Sequence, residues 1–241
     1  GAVLLACAFE VAAGQADDAL DNGLVRAEFN ASGLVSITDV AGARTVRLVS
    51  DGFAVFAGDE SLESEYLTPT QEPPSPASRV YRFESGPWTV RVVYELEPGW
   101  RFVSKQLLLA NSGKKELRVQ RLEMVRGGIE TLITAQLHIR DGTLLRFADA
   151  LGGAPTHGLF LELQNPFLQL KRREQQLSLA YPPDMNWNPT RGAFVSDRLL
   201  LGPYNLSGVQ FPARMVPEWK LAPESERRGS AWIDRSEVDA V

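Results

Sequence analysis

The sequence predicts an all-β protein, a large antiparallel super-sandwich of two packed sheets. Three observations carry that expectation. Apolar and polar residues alternate with a period of two over many short runs, as in Thr89-Val90-Arg91-Val92-Val93-Tyr94-Glu95-Leu96. Clusters of turn formers separate these runs at intervals of about ten residues, the spacing of a sandwich or barrel. Before the last few residues no segment shows the apolar i, i+3, i+4 recurrence of an amphipathic helix, which argues against a βαβ sheet.

Taken in order, residues 24–29 alternate and enter the turn Asn30-Ala31-Ser32-Gly33, and residues 34–38 return, which predicts a hairpin. Further strands are expected at 44–50, 53–56 and 79–84. Residues 89–96 put Val90, Val92, Tyr94 and Leu96 on one face and leave Arg91 and Glu95 on a face that can meet water. Pro98-Gly99 leads into a strand over 100–109, and Asn111-Ser112-Gly113-Lys114-Lys115 turns it into 117–125. In that last run Leu117 and Val119 share one parity while Leu122 and Met124 share the other. A bulge near Gln120-Arg121 would keep both pairs facing the core. Strands at 130–136, 159–163, 167–171, 175–180 and 199–201 complete the set.

Two stretches interrupt the rhythm. Residues 58–78 are acidic and carry Pro69, Pro73, Pro74 and Pro76, so they read as a long surface loop with little that could pair. Residues 182–192 form a second irregular stretch, dense in turn formers and polar groups.

The organisation expected from these signals has three parts. Residues 1–16 read as a signal-peptide remnant or a disordered N-terminus, with an apolar run and then small residues before a cut near Ala16. Cys7, the single cysteine, lies inside that run, and Leu4-Leu5-Ala6-Cys7 loosely matches a lipoprotein acylation site. Export to the periplasm, the exterior or a lipid anchor follows as the expected localisation, without an internal disulfide. Residues 17–232 form the β-super-sandwich. Residues 233–241 read as the start of a linker helix into a downstream domain, with Asp234 or Ser236 as N-cap and Val238 and Val241 at i, i+3.

Charge and composition exclude some classes of function. A net charge of −5 and a pI near 5.2 argue against a nucleic-acid phosphate backbone as partner. No apolar run reaches the ~20 residues of a membrane span. The two histidines, His138 and His157, stand apart from any cysteine or carboxylate cluster, so no metal and no cofactor is expected. No nucleophile elbow, phosphate-binding loop or dinucleotide fingerprint is present.

What remains is a mixture of acids, amides and aromatics toward the C-terminal end. Asp184, Asn186 and Trp187 share one stretch, Tyr204 follows the run at 199–201, and Trp219 lies in Pro217-Glu218-Trp219-Lys220. Sugars are bound by such a mix, because flat aromatic rings stack on C–H-rich pyranose faces while Asp and Asn hydrogen-bond vicinal hydroxyls. The competing reading makes Trp187, Tyr204 and Trp219 anchors that hold loops onto a sheet edge, and Asp197-Arg198 a local salt bridge.

Several of these runs carry a resemblance. Leu163-Gln164-Asn165-Pro166-Phe167-Leu168, Tyr181-Pro182-Pro183-Asp184-Met185, Ser196-Asp197-Arg198, Gly202-Pro203-Tyr204 and Met215-Val216-Pro217-Glu218-Trp219 resemble melibiase-type α-galactosidase relatives. The likeness is to the N-terminal super-sandwich that precedes their catalytic (β/α)8 barrel. The opening Asn22-Gly23-Leu24-Val25-Arg26-Ala27-Glu28-Phe29, through Gly33-Leu34, is similar to the first hairpin of galactose-mutarotase-like sandwiches. The resemblance implies a non-catalytic domain that supports a downstream barrel of the same polypeptide, with Asp184, Asn186 and Trp187 on a loop reaching carbohydrate. It transfers no catalytic residue, since the two carboxylates of that chemistry belong to the barrel. Two alternatives stay open. One is a stand-alone carbohydrate-binding module; the other is a mutarotase- or lyase-type enzyme drawing on Asp184, Asp197, Glu218, His138 and His157.

Overall fold

The computed structural model describes residues 18–139, 142–147, 157–165 and 167–205. In chain order the strands are β1 (Asp18–Asp21), β2 (Val25–Asn30), β3 (Gly33–Asp39), β4 (Arg44–Ala57), β5 (Glu60–Glu63) and β6 (Thr70–Gln71). Then come β7 (Ser78–Ser85), β8 (Trp88–Glu95), β9 (Val103–Asn111), β10 (Leu117–Ile129), β11 (Ile133–Ile139) and β12 (Gly142–Phe147). The last six are β13 (His157–Leu163), β14 (Gln169–Arg173), β15 (Gln176–Tyr181), β16 (Met185–Trp187), β17 (Phe194–Val195) and β18 (Leu199–Asn205). Short 3₁₀ turns occupy Ser64–Tyr66 and Pro189–Arg191.

Among the described residues these strands make two nine-stranded antiparallel sheets. The first runs β1-β2-β3-β4-β10-β15-β14, with β5 on β4 and β16 on β10. The second runs β11-β12-β13-β18-β9-β8-β7-β6, with β17 on β9. The expected two-sheet, all-β architecture is what forms.

Alternation dictates the core. Ala27, Ile37, Phe53 and Val55 of the first sheet face Phe83, Val90, Val92, Leu107 and Leu199 of the second, and all are buried. Each large apolar side chain so buried contributes about 1.5–3 kcal/mol. Phe53 and Phe83 meet edge to face across the gap, with centroids 4.9 Å apart. At one margin Arg79 of β7 crosses to β1, donating to Asp18 Oδ1 at 2.5 Å and to the Ala19 carbonyl at 2.8 Å.

One polar cluster sits inside this apolar slab. Lys105 Nζ donates to Asp51 Oδ1 at 2.5 Å and to the Gly52 carbonyl at 3.1 Å, and Tyr94 Oη donates to Asp51 Oδ2 at 2.7 Å. The side chains of Lys105 and Asp51 are 0% and 2% exposed, so β9 and β4 are joined by a fully desolvated ion pair. Burial, and then the Asp51 charge, pushes the Tyr94 phenol well above its ordinary range.

The strands expected at 44–50 and 53–56 are one continuous strand, β4, that carries Asp51-Gly52 through its middle. Gly52 is required there. A Cβ would lie 2.7 Å from both the Arg126 carbonyl oxygen and Ser64 Oγ. The slip expected near Gln120-Arg121 is present, since pairing on β4 jumps between Val119 and Arg121 and leaves both Val119 and Leu122 buried.

Two expectations about irregular stretches need correction. Residues 58–78 contain β5, the turn Ser64–Tyr66 and β6, each bound to the rim of a sheet. Residues 182–192 contain β16 and the turn Pro189–Arg191. Strands of two to four residues are too short to print an alternation, so turn formers dominate their composition. The segments at 1–16 and 233–241, with Cys7 and the expected linker helix, lie outside the described residues. Among the described residues no helix is long and apolar enough to cross a membrane.

Candidate functional site

The outer face of the first sheet, turned away from the second, carries a network of charged side chains. It is organised by β10. Val119 and Leu122 face the core on either side of the bulge, so Arg118, Arg121 and Glu123 project outward, and Arg126 joins them after a second register shift between Glu123 and Arg126. Bulges re-aim side chains in this way, and here they put three guanidiniums on one strand face.

Each guanidinium has carboxylate partners. Arg118 forms a two-pronged pair with Asp184, Nε to Oδ1 at 2.8 Å and Nη2 to Oδ2 at 3.0 Å. Arg121 Nη2 lies 3.0 Å from Glu123 Oε1. Arg126 reaches Glu63 at 2.7 Å, Glu65 at 3.2 Å and Glu123 at 3.8 Å. The Glu123 side chain is 11% exposed, so it is a nearly buried charge between two arginines. Arg121 Nε is buried and has no hydrogen-bond partner among the described residues.

The candidate loop joins this face at its β16 end. Asp184 holds a positive φ of 49°, a conformation Asp tolerates better than most residues. The Arg118 guanidinium beside it keeps its carboxyl below the ordinary range, first through the hydrogen bond and then through charge. Asn186 pairs with Arg118 in the β16–β10 register and is exposed. Trp187 follows, so it points inward. Its ring lies 5.9 Å from Trp88 and 6.2 Å from Phe194, and its Nε1 donates to the Gly192 carbonyl at 2.9 Å. The residue is only 8% exposed.

The remaining candidates are scattered. Tyr204 lies in β18 opposite Gly158, on the second sheet. Trp219 and Glu218 lie outside the described residues. His138 pairs with Thr143 in β11–β12, and His157 with Asn205 in β13–β18. Asp197 accepts from Asn165 Nδ2 at 2.7 Å, and its backbone N–H donates to Tyr181 Oη at 2.7 Å, so it is part of a turn-fixing network. Among the described residues no group of three or more His, Cys, Asp or Glu could hold a metal ion.

Sequence reasoning missed Tyr66 and the arginines of β10. Tyr66 ends the turn Ser64–Tyr66 and is 78% exposed beside Glu65. The arginines were visible in the sequence, but without the register of the bulged strand nothing showed that they share a face.

This face can accept and donate many hydrogen bonds at fixed positions. Its chemistry is suited to holding a polyhydroxylated ligand.

No protein-family model matches the sequence, and none of the curated proteins does. Among solved structures, a galactose mutarotase related enzyme from Lactobacillus acidophilus superposes with a TM-score of 0.50 at 6% identity, covering 79% of this chain and 98% of that one. The fold is the galactose-mutarotase-like sandwich. A galactose mutarotase-like protein from Lactobacillus casei matches with a TM-score of 0.46 at 9% identity, over 78% of this chain and 100% of that one. A GH36 α-galactosidase from Geobacillus stearothermophilus matches at 0.32 and 12% identity, over 68% of this chain and 29% of that one. The last two are too distant to bear on the fold.

Proposed function

We propose that this chain is the non-catalytic N-terminal sandwich domain of an exported, α-galactosidase-like glycoside hydrolase. In this reading it braces a downstream catalytic barrel and offers carbohydrate the outer face of its first sheet. The observation that supports it best is the make-up of that face, where Arg118, Arg121 and Arg126 are interleaved with Asp184, Glu123, Glu63 and Glu65. Ion pairs of this kind fix donors and acceptors in place, which suits recognition of hydroxyls. Asp184 and Asn186 keep their proposed part in sugar contact, at the margin of the same face.

Two measurements on the full chain test this reading. Titration with neutral oligosaccharides should show saturable binding, and polarimetry with α-galactose should show mutarotation at the uncatalysed rate. Absence of binding at millimolar sugar would remove the carbohydrate face. Catalysed mutarotation would replace the supporting role by an enzymatic one.

A further inference from the structure

Tyr66 has the highest exposure of any large hydrophobic side chain among the described residues. Its position is nonetheless built. Ser64 Oγ accepts the Phe53 N–H at 2.9 Å, and the Leu67 N–H closes on the Ser64 carbonyl at 3.1 Å. The turn sits so close to β4 that Gly52 has no room for a Cβ beside Ser64 Oγ. Glu65, its neighbour in the turn, is held by Arg126 at 3.2 Å, and the same guanidinium reaches Glu63 at 2.7 Å. An exposed aromatic side chain thus stands on a fixed turn, next to a fork of donors and acceptors. Arg121 Nε, on the same outer face, is a buried donor with no hydrogen-bond partner among the described residues.

We propose that Tyr66 is a stacking platform for a neutral pyranose, with Glu65, Glu63 and Arg126 taking its vicinal hydroxyls. This rests on the carbohydrate reading above and assigns it a place and a ligand class. The charge decides the class. Glu63, Glu65 and Glu123 face Arg121 and Arg126, so carboxylates outnumber guanidiniums at this end. Sugar hydroxyls can donate to the excess carboxylate, whereas a uronate would be repelled by it.

The test titrates the full chain with neutral and uronic-acid oligosaccharides, comparing the unaltered protein with Tyr66→Ala and Tyr66→Phe. Loss of the ring should weaken neutral-sugar binding about tenfold, and Tyr66→Phe should stay within about twofold. Unchanged thermal melting of Tyr66→Ala is expected for so exposed a side chain and separates lost contact from lost fold. If the unaltered chain binds neutral sugar and Tyr66→Ala binds equally well, the platform is wrong while the carbohydrate reading stands. Tighter binding of uronic acids would overturn the ligand class. If the unaltered chain binds neither, both readings fall together.

Discussion

Lys105 and Asp51 show how a single pair can govern the packing of two sheets. Each charge is removed from water, and only the other, with Tyr94 and the Gly52 carbonyl, compensates it. Lys105→Met should therefore cost about 3–5 kcal/mol, because Asp51 is left charged and buried. The double variant Lys105→Met with Asp51→Leu should recover much of that loss. Urea denaturation of the two proteins measures it, and equal losses would show that the pair does not act as a unit.

A second residue-scale prediction concerns acid. Ser36 Oγ donates to Glu28 Oε2 at 2.6 Å and, with Arg26 and Arg47, holds the Glu28 carboxyl below its ordinary range. A carboxyl depressed by folding adds stability that is fully present above its unfolded value. That stability is lost as pH falls through the folded one. Ser36→Ala should thus flatten the stability profile on the acid side of pH ~4.5. Melting temperatures measured from pH 6 down to 3 would reveal it, and parallel profiles for the two proteins would contradict it.

At the scale of elements, β10 is where sequence and structure agree most closely. Its parity slip at Gln120-Arg121 was legible because apolar residues stand on both sides of it and both must reach the core. The long strands β7, β8 and β9 were legible for the same reason, each having one buried face. The rim strands β5, β6, β16 and β17 were not, since a strand of two to four residues sets no period. The same gap hid part of the site. Composition marked Asp184, Asn186 and Trp187 as a polar, aromatic stretch, but only the register of β16 on β10 decides which of them turns inward.

That register makes a prediction. Trp187→Ala should destabilise the protein by about 3–5 kcal/mol, as loss of a buried aromatic does, by removing the Trp88 and Phe194 contacts. Asn186→Ala, on the exposed side of the same strand, should change stability by under about 0.5 kcal/mol. Denaturation midpoints compare them, and similar values would contradict the assigned faces. Gly127→Ala tests the closeness of β10 to β4. Its Cβ would fall 2.0 Å from the Ser50 carbonyl oxygen, and the backbone shift needed to admit it should cost roughly 1–3 kcal/mol.

At the scale of the whole molecule, two antiparallel sheets among the described residues enclose an apolar core and leave a polar outer face on the first sheet. Such a sandwich is a scaffold, and fold alone does not assign chemistry. The proposal that it supports a glycoside hydrolase barrel therefore makes a claim about polypeptide beyond residue 241. The most direct measurement is the coding sequence that follows the codon for Val241. The account predicts a frame that continues into alternating strands and helices, with carboxylates at the strand C-termini where a barrel places its catalytic groups. A stop codon immediately after Val241 would contradict it, and the face of Tyr66 and Arg126 would then have to act as a binding module on its own.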